Sequence, residues 1–194
     1  MKRYKTVNKK NIISLVAVLV FSVAIIGLTI GFASTANSSE NVDAPALEVT
    51  KPTVQESFSA PASEYTVLKD ASIDKLVYMS SLNMWKTHNG IDLAMEKDSV
   101  VKSVYSGKVK KVEQSTLEGV IVTVDLNNGM TAIYKSLSSA SVKDGDKVEN
   151  GSVIGVVGTM LSENDEGVHL HLELKKDGSF VNPADYIDFM NGNK

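Results

Sequence analysis

The sequence predicts an all-β, antiparallel domain standing behind a single N-terminal transmembrane helix. Two observations lead there. Residues 12–33, IISLVAVLVFSVAIIGLTIGFA, form an uncharged apolar run. From about residue 80 to 188 the chain becomes a succession of short β-branched or alternating runs, SVVKSVYSGKVKKVEQ, GVIVTVDL, MTAIYKSL, SVIGVVG and VHLHLEL, parted by Gly, Asn and Asp. That is the period and punctuation of strands and tight turns.

Taken in order, residues 1–11 carry Lys2, Arg3, Lys5, Lys9 and Lys10 and no acid. As a helix the 12–33 run spans roughly 33 Å, enough for a hydrocarbon core of about 30 Å. The basic flank places 1–11 in the cytoplasm and everything beyond about Ala33 outside it. A cleavable signal peptide, with Ser34 and Ala36 as small processing residues, is the rival reading; its apolar core is usually only about 7–15 residues. Residues 34–64 are rich in Ser, Ala, Glu and Asn, with Pro45, Pro52 and Pro61 spread through them, the composition of an extended stalk. The domain occupies 65–194, with YTVLKDASIDKLVYMSSLNMW (65–85) leading in as a strand and short connections and a fully patterned core at 80–188. Within it, Asn127-Asn128-Gly129 reads as a hairpin turn, and Gly145 and Gly151 as further turns.

Charge and composition exclude some functions. Five of the 20 basic residues precede the apolar run, leaving 15 against 23 acids, a balance of −8. A domain of that sign has no electrostatic footprint for nucleic acid. With no cysteine in the chain, neither disulfides nor thiolate metal sites are available. Any metal must be held by histidine and carboxylate.

Only three histidines exist, and two share GVHLHLEL (167–174). On a strand, His169 and His171 point to one face while Leu170 and Leu172 point to the other. Neutral imidazoles with a carboxylate suit a tetrahedral zinc site, but alone the pair is better explained by two solvated histidines. The third, His88, precedes Asp92 in HNGID; the Asn-Gly break disfavours a helix, and a turn there would fold the carboxylate back beside the imidazole. Alone, this too is satisfied by a surface hydrogen bond.

HNGID followed about 80 residues later by HLHLEL, in a cysteine-free β-domain, resembles the lysostaphin and LytM type of zinc peptidase domain, whose signatures are H-x-G-x-D and H-x-H. SGKVKKV, GVIVTVDLNNGMTAIYKSL, VKDGDKVENGSVIGVVG and DGSFVNPADYI fall in the expected order, so the resemblance covers 84 to about 187. It implies an antiparallel β-sandwich of the duplicated hybrid kind. It also implies one Zn2+ bound by His88, Asp92 and His171, His169 as the catalytic histidine, and hydrolysis of peptide crosslinks in peptidoglycan. Glu173, two places beyond His171, is a candidate for orienting its imidazole. Trp85 and Tyr134 read as packing or cleft-wall residues, and Asn182-Pro183 as a turn.

The sequence also departs from that family. Its central Y-x-H-L motif reads YKSL here, with Ser136 in the histidine's place and no other histidine to substitute. A hydroxyl carries no charge near neutral pH, and loss of one such group commonly costs on the order of 100-fold in rate. STLEG replaces a glycine-tyrosine-glycine stretch and TMLSEN replaces T-G-x-S, both expected at the substrate cleft. The layout of helix, acidic stalk and degenerate domain resembles the sporulation members of the family in endospore-forming bacteria. That implies the forespore membrane, a domain facing the space between the two sporulation membranes, and a partner like the extracytoplasmic domain of stage III sporulation protein AH, in a channel that supports engulfment. Peptidoglycan is a second candidate partner. The sequence leaves open three functions: a zinc-binding assembly partner with impaired activity, a working zinc endopeptidase, and a metal-independent activator of cell-wall amidases.

Overall fold

The computed structural model describes residues 56–190. The basic tail, the apolar 12–33 run and most of the stalk lie outside the described residues, as do 191–194. Twelve strands follow one another: β1 (Thr66–Lys69), β2 (Ser72–Met79), β3 (Met84–His88), β4 (Gly90–Ala94), β5 (Val100–Lys102), β6 (Gly107–Ser115), β7 (Gly119–Leu126), β8 (Met130–Ala140), β9 (Lys147–Val148), β10 (Val153–Val157), β11 (His169–Lys176) and β12 (Ser179–Val181). Among the described residues the helical pieces are 3₁₀ turns at Ser80–Leu82, Leu161–Glu166 and Pro183–Asp185. In the last of these Asn182 caps the start, its side-chain oxygen accepting from the Ala184 N–H at 3.0 Å.

All strand pairs are antiparallel, as the alternating runs predict. Ten strands hydrogen-bond as one continuous sheet in the order β1-β4-β11-β8-β7-β6-β9, with β12 added to β11 and β10 bridging β8 to β5; β2 and β3 form a separate hairpin. Continuity arises because β8 serves two sets of neighbours. Its first half lies between β11 and β7, and residues Leu137 to Ala140 turn to β10. Ser136 sits at the switch with φ 64°. The register passes from Val122 opposite Tyr134 to Val120 opposite Leu137, one extra residue on β8, which makes this a β-bulge.

The core gathers the inward residues of these strands: Ile91 and Leu93 of β4, Val122 and Val124 of β7, Tyr134 of β8, and Leu170, Leu172 and Leu174 of β11. Tyr134 is packing, as expected, and its hydroxyl accepts the Val104 N–H at 2.9 Å; burial pushes its phenol up to about 12. Trp85 is no core residue: it is exposed on the hairpin beside Tyr78. Removing one inner leucine leaves a cavity in a packed interior. Leu172→Ala is therefore expected to cost about 2–5 kcal/mol, read as a lower denaturant midpoint at unchanged slope.

Local turn signals are met. Gly129 has φ 82° and donates its N–H to Leu126 O at 3.1 Å, closing the hairpin between β7 and β8. The end of the stalk needs correction. Residues 56–64 are folded against the domain: Phe58 and Ala60 pack on the core, Ala62 is buried in it, and Lys102 N–H donates to Pro61 O at 2.7 Å. A proline-bearing segment with apolar residues at 58, 60 and 62 lies along an edge, where a missing N–H costs nothing.

Candidate metal centre

Strand pairing builds the site. β11 and β4 align so that His171 faces Asp92 directly, and the pleat that sends Leu170, Leu172 and Ile91 inward puts both polar side chains on the opposite face. His171 Nδ1 lies 2.7 Å from Asp92 Oδ1. His88 arrives differently from the expected turn. It ends β3, and after Asn89 the chain enters β4, so two strands of different sheets are joined by one residue. This change of direction brings His88 Nε2 within 3.1 Å of Asp92 Oδ2. The glycine between them has a steric reason: a Cβ on Gly90 would stand 2.7 Å from His171 Nε2 and 2.7 Å from Leu172 O. Gly90→Ala is expected to displace the His171 ring and lower metal affinity by at least about 10-fold, measured by competition with a chromogenic chelator.

Each histidine is oriented from behind. His88 Nδ1 faces the Asp70 carbonyl at 2.8 Å and His169 Nδ1 the Gly167 carbonyl at 2.9 Å. A ring nitrogen on a carbonyl must carry the proton, so in the neutral rings both Nε2 atoms are left with lone pairs. His171 Nε2 faces Glu173 Oε1 at 3.3 Å, the orienting role expected of Glu173, which Lys135 Nζ holds in turn at 3.0 Å. That leaves His171 Nδ1 turned toward the carboxylates.

One member of the site escaped the sequence reading. Glu163 comes from TMLSEN and is buried among the histidines, its Oε1 3.6 Å from His88 Nε2 and its Oε2 3.2 Å from His171 Nδ1 and 3.4 Å from His169 Nε2. His88, Asp92, Glu163 and His171 each offer a ligand atom within 4.8 Å of all the others, and all four residues are buried. His169 stands beside this group.

The donor set fits zinc. Bonds of about 2.0–2.1 Å in a tetrahedron put ligand atoms about 3.3 Å apart, and the close approaches here run from 2.7 to 3.6 Å. More telling, His88 Nε2, Asp92 Oδ2, Glu163 Oε2 and His169 Nε2 are buried without a hydrogen-bond partner. Polar atoms that are close yet misaligned point at a common centre rather than at one another, and orphaned buried groups are otherwise costly. Charge agrees. Burial works against the Asp92 and Glu163 carboxylates, but the neighbouring imidazoles outweigh it and hold both below the usual carboxylate range. Burial likewise opposes a charged His171, but the Asp92, Glu163 and Glu173 carboxylates raise it well above the ordinary histidine value. The cluster is built to be completed by positive charge.

A cleft of about 210 Å³ opens onto the group, lined by Glu118, Lys135, Ser162, Glu163 and His171 among others. STLEG and TMLSEN both reach it, as expected. Ser136 is fully buried at the bulge with its hydroxyl unpartnered.

Comparison with known proteins agrees with this geometry. Residues 86–183 match the model of peptidase family M23. Stage II sporulation protein Q of Bacillus subtilis (strain 168) is 41% identical over 108 residues, 55% of this chain and 38% of that protein, so the chain spans about two fifths of that relative. A chain of the SpoIIQ–SpoIIIAH pore-forming complex superposes with TM-score 0.63 at 34% identity, covering 69% of this chain and 92% of that one. The catalytic domain of the prophage-encoded M23 protein EnpA from Enterococcus faecalis follows with TM-score 0.55 at 29% identity, covering 66% and 96%. With half of its length matched by the family model, and the H-x-G-x-D and H-x-H residues converging within that stretch, the chain belongs to peptidase family M23.

Proposed function

We propose that this protein is a membrane-anchored M23 domain that binds zinc through His88, Asp92 and His171, has impaired or no peptidase activity, and serves in endospore formation as an assembly partner between two membranes. In this reading the 12–33 segment is the anchor and residues 1–11 are cytoplasmic. The domain from about residue 56 faces the space between the forespore and mother-cell membranes. The partner is an extracytoplasmic domain of the SpoIIIAH kind. The observation that carries the reading is a complete, convergent ligand cluster in a chain that carries Ser136 where the family's Y-x-H-L histidine would stand. The likeness to a chain of the SpoIIQ–SpoIIIAH complex supplies the partner class.

When bound in a site with an open position, zinc polarises a peptide carbonyl and makes its water a nucleophile. The chain's own contribution is orientation: Asp70 O and Glu173 fix two imidazoles, and His169, held by Gly167 O, presents Nε2 to the centre. Exposed apolar residues Leu76, Tyr78, Met84 and Trp85 on the β2–β3 hairpin offer surface for a protein partner. Co-purification of the full chain with a SpoIIIAH-type extracytoplasmic domain should succeed, and should persist in His169→Ala. Failure of the two to associate at micromolar concentration would remove the assembly role.

The orphaned Nε2 of His169 favours one second reading, a working endopeptidase. New peptide ends released from purified peptidoglycan by the wild type, and lost in His169→Ala, would promote it.

A further inference from the structure

The segment Leu161–Glu166 inverts the usual order of burial. Leu161 is 56% exposed while Glu163, two residues on, is 4% exposed. Glu163 also breaks the local 3₁₀ geometry, with φ −136° and ψ 41°, and this turn of the backbone directs its side chain inward. Burying a carboxylate costs several kcal/mol unless it is paired, and this one lies close to Asp92, another acid. Two carboxylates side by side with three imidazole nitrogens 3.2 to 3.6 Å from Glu163 form a cluster that a shared cation would complete.

The segment is pinned on both sides. The Ser162 N–H donates to Leu117 O at 3.0 Å and the Ser162 hydroxyl to the same oxygen at 3.2 Å. The Asp165 N–H donates to Ser81 Oγ at 3.1 Å, and Glu166 is paired with Lys69. Glu163 is thus held over the cluster by neighbours from both flanking regions of the fold.

We infer that Glu163 is the fourth protein ligand of the metal, closing the position that a catalytic M23 site needs for water and substrate. This rests on the zinc reading proposed above. Its Oε2 stands 3.2 Å from His171 Nδ1 and 3.4 Å from His169 Nε2, and its Oε1 3.6 Å from His88 Nε2, around the about 3.3 Å that separates neighbouring ligand atoms in a tetrahedron. A carboxylate acting as a general base on a bound water would stand further off, with room for the water between. Three protein ligands plus water characterise catalytic zinc, and four protein ligands characterise structural zinc. Glu163 therefore converts an inherited catalytic centre into a structural one. Keeping the metal after losing the Y-x-H-L histidine is then consistent: the ion staples β3, β4, β11 and the 161–166 segment together.

The test uses the purified full chain with Co2+ in place of zinc and azide as the probe of an open position. The wild-type visible spectrum is expected to stay unchanged up to tens of millimolar azide. Glu163→Ala is expected to bind Co2+ at least about 100-fold more weakly, since even loss of an outer partner costs about 10- to 100-fold, and to show a saturable azide-dependent spectral shift. Glu163→Gln, which keeps the shape and one oxygen donor, should fall between the two and guards against a folding defect in the alanine variant. A wild-type spectrum that shifts with azide as much as Glu163→Ala overturns the inference, as does unchanged Co2+ affinity in both variants. Failure of the wild type to take up either Co2+ or Zn2+ is a different result, and overturns the zinc reading itself.

Discussion

Chelation of the zinc is expected to lower the melting temperature of the full chain by about 10–20 °C, and Asp92→Ala to bring the same loss without chelator. A metal held at 1,000 times its Kd stabilises the native state by about 4 kcal/mol. For a domain of this size each kcal/mol moves Tm by a few degrees, roughly 3–5 °C. Asp92 is the hinge of the cluster, fully buried, 2.7 Å from His171 Nδ1 and 3.1 Å from His88 Nε2. Removing it takes away one ligand and leaves His171 Nδ1 and His88 Nε2 without the carboxylate they share. Zinc affinity should fall on the order of 1,000-fold, about a quarter to two fifths of the about 10–16 kcal/mol typical of a structural site. Calorimetry with and without EDTA, alongside metal analysis, reads both quantities. A wild-type Tm indifferent to EDTA would mean that the ion, if bound, holds nothing together.

The parts of this structure that were legible in the sequence are those fixed by short-range chemistry. GVIVTVDL is β7 residue for residue, because strand alternation and the Asn-Gly turn act within a few positions. His169 and His171 were legible as a pair because a period of two puts them on one strand face, and the family pattern says that His171 and Asp92 meet; the register between β4 and β11 makes those two direct neighbours. His88 was placed beside Asp92 correctly by spacing and wrongly by geometry. The sequence around Asn89 suggests a turn, and only the presence of a second, separate hairpin sheet shows why none is needed. Glu163 was illegible for a different reason. An acid in a short polar segment is the commonest of surface patterns, and what makes this one a site residue is the docking of its segment on Leu117 and Ser81, some 45 and 80 positions away. Ser136 was noticed for its chemistry, while its left-handed backbone at the bulge depends on β7 and β10 pairing with the two halves of β8.

Those two residues also set the terms on which peptidase activity could return. Ser136→His alone is expected to leave peptidoglycan uncleaved, because Glu163 still occupies the centre, and Glu163→Ala alone should leave it nearly so, because no imidazole replaces the family histidine. The double variant should cleave at least about 100-fold faster than either single one, the usual worth of one charge-stabilising group in such a site. The backbone permits the exchange: Ser136 has φ 64°, and histidine is among the residues that enter the left-handed region more readily than most. The surrounding apparatus is already in place, with His169 oriented by Gly167 O and Lys135 tied to Glu118 and Glu173 at the cleft. Release of free amino groups from purified peptidoglycan, with zinc content measured on the same samples, separates a dead site from an empty one. Activity in Ser136→His alone, at the level of the double variant, would show that the missing histidine was the whole defect and that Glu163 obstructs nothing. Silence of the double variant with zinc bound would place the obstacle in the recast cleft segments STLEG and TMLSEN, whose residues Glu118, Met160 and Ser162 line the cleft along with His88, Glu163 and His171.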